Sequence, residues 1–143
     1  MIDRTEPAEN QELQHLSASG LAYLGDCVYE LFVREYLVKN RVQHPSVEAL
    51  KYVTAKVQSN VAEKIIPFLT EEEEAEYRRG RNIGHSNVPK SSTVAEYRRA
   101  TGLETLFGWL YMSGKHDRLR VLFEIAFTSN EEQSETEEKE EVT

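Results

Sequence analysis

Two acids stand inside runs whose spacing is that of apolar helices. In "LAYLGDCVYELF", residues 21 to 32, Asp26 directly follows Gly25. In "YRRATGLETLFGWLYM", Glu104 stands two residues after Gly102. A carboxylate buried without a partner is costly, so each acid either reaches water or meets something that satisfies it. Glycine in a helix interior costs about 1 kcal/mol relative to alanine, and close approach of another backbone is a physical motive for keeping it. Two carboxylates brought together from crossing helices suit a hard divalent cation. Magnesium takes one or two carboxylates plus waters, and phosphate oxygens can complete its shell. The plainer alternative is an acid on a solvated helix face, with Glu30 pairing to Arg34 one turn on. Spacing alone leaves both open.

Other chemistries find little footing. His15, His44, His85 and His116 are scattered, without the pairing of a zinc site. No glycine-rich phosphate loop, nucleophile elbow or Cys–His pairing occurs. Cys27 is the only cysteine and lies in the apolar run, which predicts a small buried thiol and a reducing, cytoplasm-like compartment. A second cluster does stand out. The stretch "YRRGRNIGHSNVPKSSTVAEYRRA", residues 77 to 100, carries Arg78, Arg79, Arg81, Lys90, Arg98 and Arg99 against Glu96, a local net of +5. Asn82, His85, Ser86, Asn87, Ser91 and Ser92 add donors. Cations that neutralise phosphates, mixed with small groups that fix register, suit a nucleic-acid backbone, and a duplex more than single strands. The competing reading is a solvated basic helix end that offsets the macrodipole.

The elements that must position these residues read as helices. From roughly Ser19 to Lys39, Leu21, Leu24, Val28 and Leu31 share one face and Tyr29, Val33 and Tyr36 another, so this helix is predicted to be central. A second helical segment starts near Pro45 and runs to a break at Pro67. Thr70 and Glu73 have capping-box spacing, with glutamates at the helix's positive end and arginines at its negative end; Gly80 and Gly84 are predicted to terminate it. "IGHSNVPKSS" reads as a loop, Thr93 and Glu96 as a second capping box, and "KHDRLRVLFEIAF" as a last helix. No segment alternates with period two, so the predicted fold class is all-α.

The totals bound the rest. A chain of 143 residues supports one compact domain, predicted at 1–129. Residues 130–143, "NEEQSETEEKEEVT", hold seven glutamates against one lysine and are predicted to form a disordered acidic tail. Removing the tail's net −6 from the total of −8 leaves −2, so the folded part is nearly neutral and the low pI does not argue against nucleic acid. No apolar run approaches the ~20 residues of a membrane span and the first residues lack a signal-type apolar stretch, so a soluble protein is expected.

"LAYLGDCVYEL" resembles the signature of ribonuclease III, and "YRRATGLETLFGWLYM" resembles the family's second active-site helix. "RRGRN", a Pro-Lys loop and "YRRATG" make the likeness closest to the short Mini-ribonuclease III branch, which lacks a double-stranded-RNA-binding domain. The resemblance covers roughly Leu16 to Phe127. It implies a ribonuclease III-like endonuclease domain acting as a homodimer. The family positions matched by Asp26 and Glu104 are catalytic and bind Mg2+, and Tyr23 falls at a dimer contact. Two further family carboxylates are replaced here by Ala22 and Thr101, leaving two clear acids per site. The implied activity is magnesium-dependent cleavage of double-stranded RNA to 5′-phosphate and 3′-hydroxyl ends. Arg78, Arg79, Arg81, Asn82, His85, Lys90 and Arg98 are the expected RNA contacts. The implied role is maturation of the 23S ribosomal RNA precursor in the bacterial cytoplasm or plastid stroma, with an accessory ribosomal protein as a further partner. A non-catalytic RNA-binding or ribosome-assembly protein on the same fold is the alternative.

Overall fold

The computed structural model describes residues 10–84 and 88–141, and side chains at 12–84 and 88–128. The chain forms α1 (Asn10–His15), α2 (Ala18–Lys39), α3 (Pro45–Glu48), α4 (Ala55–Ile65), α5 (Glu71–Arg81), α6 (Val94–Met112) and α7 (His116–Glu141). Single 3-10 turns follow α3 and α4, and no strand occurs among the described residues. The all-α expectation holds.

α6 is the axle of the fold, packing against α2, α4, α5 and α7. Its sequence explains this: Leu103, Leu106, Phe107 and Leu110 are all fully enclosed, so the helix is apolar nearly all round and must be surrounded. α2 is the other central element. Ser17 caps it by accepting from the Gly20 amide at 2.9 Å, and its buried side comprises Leu21, Val28, Tyr29, Phe32, Val33 and Leu37. Beneath both lies an aromatic cluster in which Phe123 stacks on Phe127 at 4.1 Å between ring centroids. The Tyr29 hydroxyl donates to the Tyr52 carbonyl at 2.7 Å, giving this buried phenol the partner it needs.

Three local readings differ from the sequence expectation. The segment from Pro45 is broken: α3 ends in a turn, and Thr54 starts α4 afresh by accepting from the Val57 amide at 3.3 Å. Gly80 lies inside α5 rather than ending it, because Thr105 of α6 occupies the space where a Cβ would stand; Asn82 caps the helix instead. Leu31 is 57% exposed, off the buried face. Where composition predicts a disordered tail, the backbone of α7 is helical to Glu141, a stretch free of glycine and proline and rich in the helix former glutamate.

Both predicted capping boxes form, Thr70 with Glu73 and Thr93 with Glu96. Glu73 does more than cap. Its carboxylate accepts from Arg118 Nε and Nη2, both at 2.9 Å, while Nη2 also reaches the Phe68 carbonyl at 2.7 Å. Burial alone would raise the Glu73 pKa; the Arg118 donors and the Thr70 amide hold it below the usual carboxylate value. Arg118→Ala strips these donors from a buried acid, and equilibrium denaturation is expected to show a loss of about 3 kcal/mol. That loss should lessen as the pH falls and Glu73 is protonated in the variant.

Candidate active site

The crossing of α2 and α6 sets the geometry. A Cβ on Gly25 would fall onto the Glu104 carbonyl, and one on Gly108 would fall onto the Leu21 carbonyl. The two backbones therefore touch, and only glycine permits it. This contact lays the residue after Gly25 beside α6 at Glu104. Gly102, by contrast, serves a different neighbour: a Cβ there would meet the Tyr77 ring at 2.7 Å and the Tyr77 carbonyl at 2.8 Å, so it seats α5.

Asp26 is the exposed member of the pair and Glu104 the half-buried one. Partial burial raises the Asp26 pKa, with the Glu30 carboxylate adding to it. Burial pushes Glu104 up to about 8, and the negative charge of Asp26 contributes. The two carboxylates thus feel each other. Among the described residues no hydrogen-bond donor and no basic side chain satisfies either of them. Glu30, one turn beyond Asp26, is held by Arg34 at 3.1 Å. No group of three or more His, Cys, Asp or Glu side chains among the described residues is arranged to hold a metal. The Ala22 and Thr101 positions cannot add an acid: Ala22 is buried and the Thr101 hydroxyl donates to the Tyr97 carbonyl at 2.9 Å. The donor set is two oxygen ligands from two helices, which suits a hard cation that keeps most of its waters.

The expected RNA-contact residues divide into two groups. Arg78 is exposed and pairs with Glu74 at 2.6 Å; Arg81 lies over the Tyr77 ring at 5.9 Å; Asn82, Lys90 and Arg98 are exposed. His85 lies outside the described residues. Arg79 is turned inward, donating to the Leu16 carbonyl at 3.1 Å and lying 3.2 Å from Glu76. Arg99 likewise ties α6 to α4, through Ser59 at 3.4 Å and Glu63 at 3.2 Å. Tyr23 is 86% exposed on the outer face of α2. Cys27 is on that face too, and the thiol is exposed rather than buried as its apolar neighbours predict, because it sits on the far side of α2 from the core. The residue that sequence reading missed is Gly108. A glycine in the middle of "LFGWLY" carries the same signal as Gly25, and the two mark the same crossing.

An all-helical domain with a carboxylate pair at a glycine crossing has close relatives. The Ribonuclease III domain matches residues 19–115 of the chain. Mini-ribonuclease 3 of Thermoanaerobacter sp. is 37% identical over 134 residues, spanning 92% of this chain and 94% of that protein. Mini-ribonuclease 3 of Symbiobacterium thermophilum is 44% identical over 109 residues, spanning 74% of this chain and 84% of that one. A crystal structure of a Fusobacterium nucleatum protein superposes with a TM-score of 0.73 at 32% identity, covering 83% of this chain and 98% of that one. The chain belongs to the ribonuclease III family, and it is an endoribonuclease of that family.

The raised Glu104 pKa gives a signed test. In metal-free protein the folded state holds a proton between the ordinary value of 4.5 and about 8 that the unfolded chain has released. Stability from this group therefore falls as the pH rises through that window. Thermal melts in chelator are expected to show Glu104→Gln more stable than the parent above about pH 8 and little different near the ordinary carboxylate value. Equal pH profiles for the two proteins would contradict the raised pKa of Glu104.

Proposed function

We propose that the chain cleaves double-stranded RNA with the help of Mg2+ held by Asp26 and Glu104, leaving 5′-phosphate and 3′-hydroxyl ends. The observation that carries this reading is the approach of two carboxylates from separate helices, with no basic side chain or hydrogen-bond donor satisfying them among the described residues. The family's general dependence on a metal agrees with it. When bound, such a cation lowers the pKa of a water and neutralises charge on the transferring phosphoryl oxygens. The residues of the chain do the rest. Asp26, open to solvent, faces the side from which a phosphodiester can arrive, and Glu104 anchors the site from within. The α2–α6 contact fixes their separation, so the ligands need no rearrangement on binding.

The RNA grip is assigned to Arg78, Arg81, Asn82, Lys90 and Arg98, and to His85, which lies outside the described residues. Arg79 joins them only at its exposed edge, since its guanidinium is engaged inside the fold. These are backbone contacts, so recognition follows A-form shape and depends weakly on sequence. The assembly is a homodimer that uses the outer face of α2, where Tyr23, Cys27, Leu31 and Val38 form an exposed, largely apolar strip broken by Arg34. Two-fold pairing would present one site to each strand of a duplex. The biological substrate is the 23S ribosomal RNA precursor, in the cytoplasm, with an accessory ribosomal protein as a further partner. The bacterial relatives agree with that setting, and no described helix is long and apolar enough to cross a membrane.

Asp26→Asn is expected to lower the cleavage rate of long double-stranded RNA by at least about 10³-fold while RNA affinity, measured by gel shift, stays within a factor of a few. Undiminished cutting would remove Asp26 from the site. Lys90→Glu with Arg98→Glu is expected to weaken RNA binding and reduce the slope of log affinity against log salt by about 0.9 for each phosphate that is no longer neutralised. An unchanged slope would make these solvated surface charges.

A further inference from the structure

Among the described residues the buried polar or charged side chains are Gln58, Ser59, Glu73 and Thr105. All but one have partners. Ser59 accepts from Arg99 at 3.4 Å, Glu73 is held by Arg118, and the Thr105 hydroxyl donates to the Thr101 carbonyl at 2.8 Å. Gln58, only 3% exposed, makes no side-chain hydrogen bond among the described residues. Its amide is not sealed off, however. Neither amide atom is among the fully enclosed atoms that lack a partner, so each keeps a sliver of accessible surface. An amide buried without a partner works against the fold, and such breaches of polar matching gather where a site has a use for the group.

The packing of α4 on α6 says where that amide stands. Gln58, Val61, Ala62 and Ile65 are buried at helical spacing, on the side of α4 that packs chiefly on α6. At one end of the contact, Ser59 and Glu63 meet Arg99 of α6. At the other, just ahead of α4, the Tyr52 carbonyl accepts from Tyr29, whose ring lies 6.0 Å from that of Phe107. Phe107 is one turn past Glu104. The helices therefore run antiparallel: passing from Glu63 back towards Tyr52 follows α6 forward from Arg99 towards Phe107. Gln58 falls between these points, against the turn of α6 that ends at Glu104. Burial, then Tyr52 and the charge of Glu104, raise the Tyr29 pKa, which sets that carboxylate beside the same end of α4.

Neighbouring hydroxyls are already spent. Tyr29 donates to the Tyr52 carbonyl and Thr101 to the Tyr97 carbonyl at 2.9 Å. The Gln58 amide carries two N–H donors with no acceptor assigned to them.

We infer that Gln58 is a positioning residue of the cleavage site: its amide donates to the Glu104 carboxylate once that group ionises to take up the cation, and so fixes the direction of its oxygens. The inference rests on the reading of Asp26 and Glu104 as metal ligands, and it supplies the group that orients the half-buried one. Carboxylates that ligate a metal are themselves hydrogen-bonded, and losing that support costs about 10–100-fold in metal affinity or activity.

Gln58→Met keeps the length and helix preference of the side chain and removes the amide. In chelator, thermal melts are expected to show the variant at least as stable as the parent, because an unmatched polar group has gone. With Mg2+ alone added, the metal concentration at the midpoint of the melt shift is expected to rise about 10–100-fold. Cleavage of long double-stranded RNA at fixed Mg2+ should slow by a similar factor, with RNA affinity in chelator unchanged by gel shift. Gln58→Leu, which also lacks the amide, should repeat the pattern. An unchanged Mg2+ midpoint and cleavage rate in both variants overturn the assignment. So do variants that are less stable than the parent in chelator, since the amide would then serve the fold. A parent that shows neither a Mg2+-dependent shift nor cutting defeats the metal-ligand reading itself, so the two failures are told apart.

Discussion

The backbone contact between α2 and α6 is the constraint on which the molecule turns. Two glycines, Gly25 and Gly108, let the carbonyls of Glu104 and Leu21 take up the space of absent Cβ atoms. Helices carrying ordinary side chains at a crossing stay about 8–10 Å apart. Removing the side chains here brings the axes closer and makes the relative placement of the flanking residues rigid. Everything chemical follows from that rigidity. Asp26 comes immediately after one glycine and Glu104 one turn before the other, so the same contact that packs the core also pairs the acids. A methyl group at either glycine would reach the site as surely as a change to an acid.

Charge is distributed with a division of labour. The acids at the crossing have no compensating cation among the described residues, whereas several arginines are committed to holding helices together. Arg118 binds the capping-box glutamate of α5 to α7, Arg99 fastens α6 to α4, Arg120 pairs with Glu35 of α2 at 2.6 Å, and Arg79 clips α5 to the chain entering α2. Lys90 and Arg98, flanking the segment between α5 and α6, are exposed and make no ion pair among the described residues. A region that looks uniformly basic in one dimension is thus partly scaffold and partly surface.

That split explains how much could be read in advance. The all-helical class and both capping boxes follow from local spacing, and these are legible because each depends on residues close in sequence. The pairing of Asp26 with Glu104, 78 positions apart, came only from the likeness of two motifs to a family. What escaped was set by partners distant in the chain. Gly80 has the composition of a helix terminator, yet Thr105 from α6 makes it a packing residue. Leu31 and Cys27 have apolar neighbours, but the direction of the core around α2 is a tertiary fact that a helix apolar on several sides does not reveal. The inward turn of Arg79 depends on a carbonyl 63 positions earlier, and no pattern of charge would disclose it.

The exposed thiol of Cys27 has a practical corollary. It is the single cysteine of the chain and lies next to Asp26, on the strip proposed to meet a second copy. A thiol-directed dye would therefore attach at one known place without any engineering. Its rate of attachment would slow as copies associate, turning an incidental side chain into a gauge of assembly beside the chemistry.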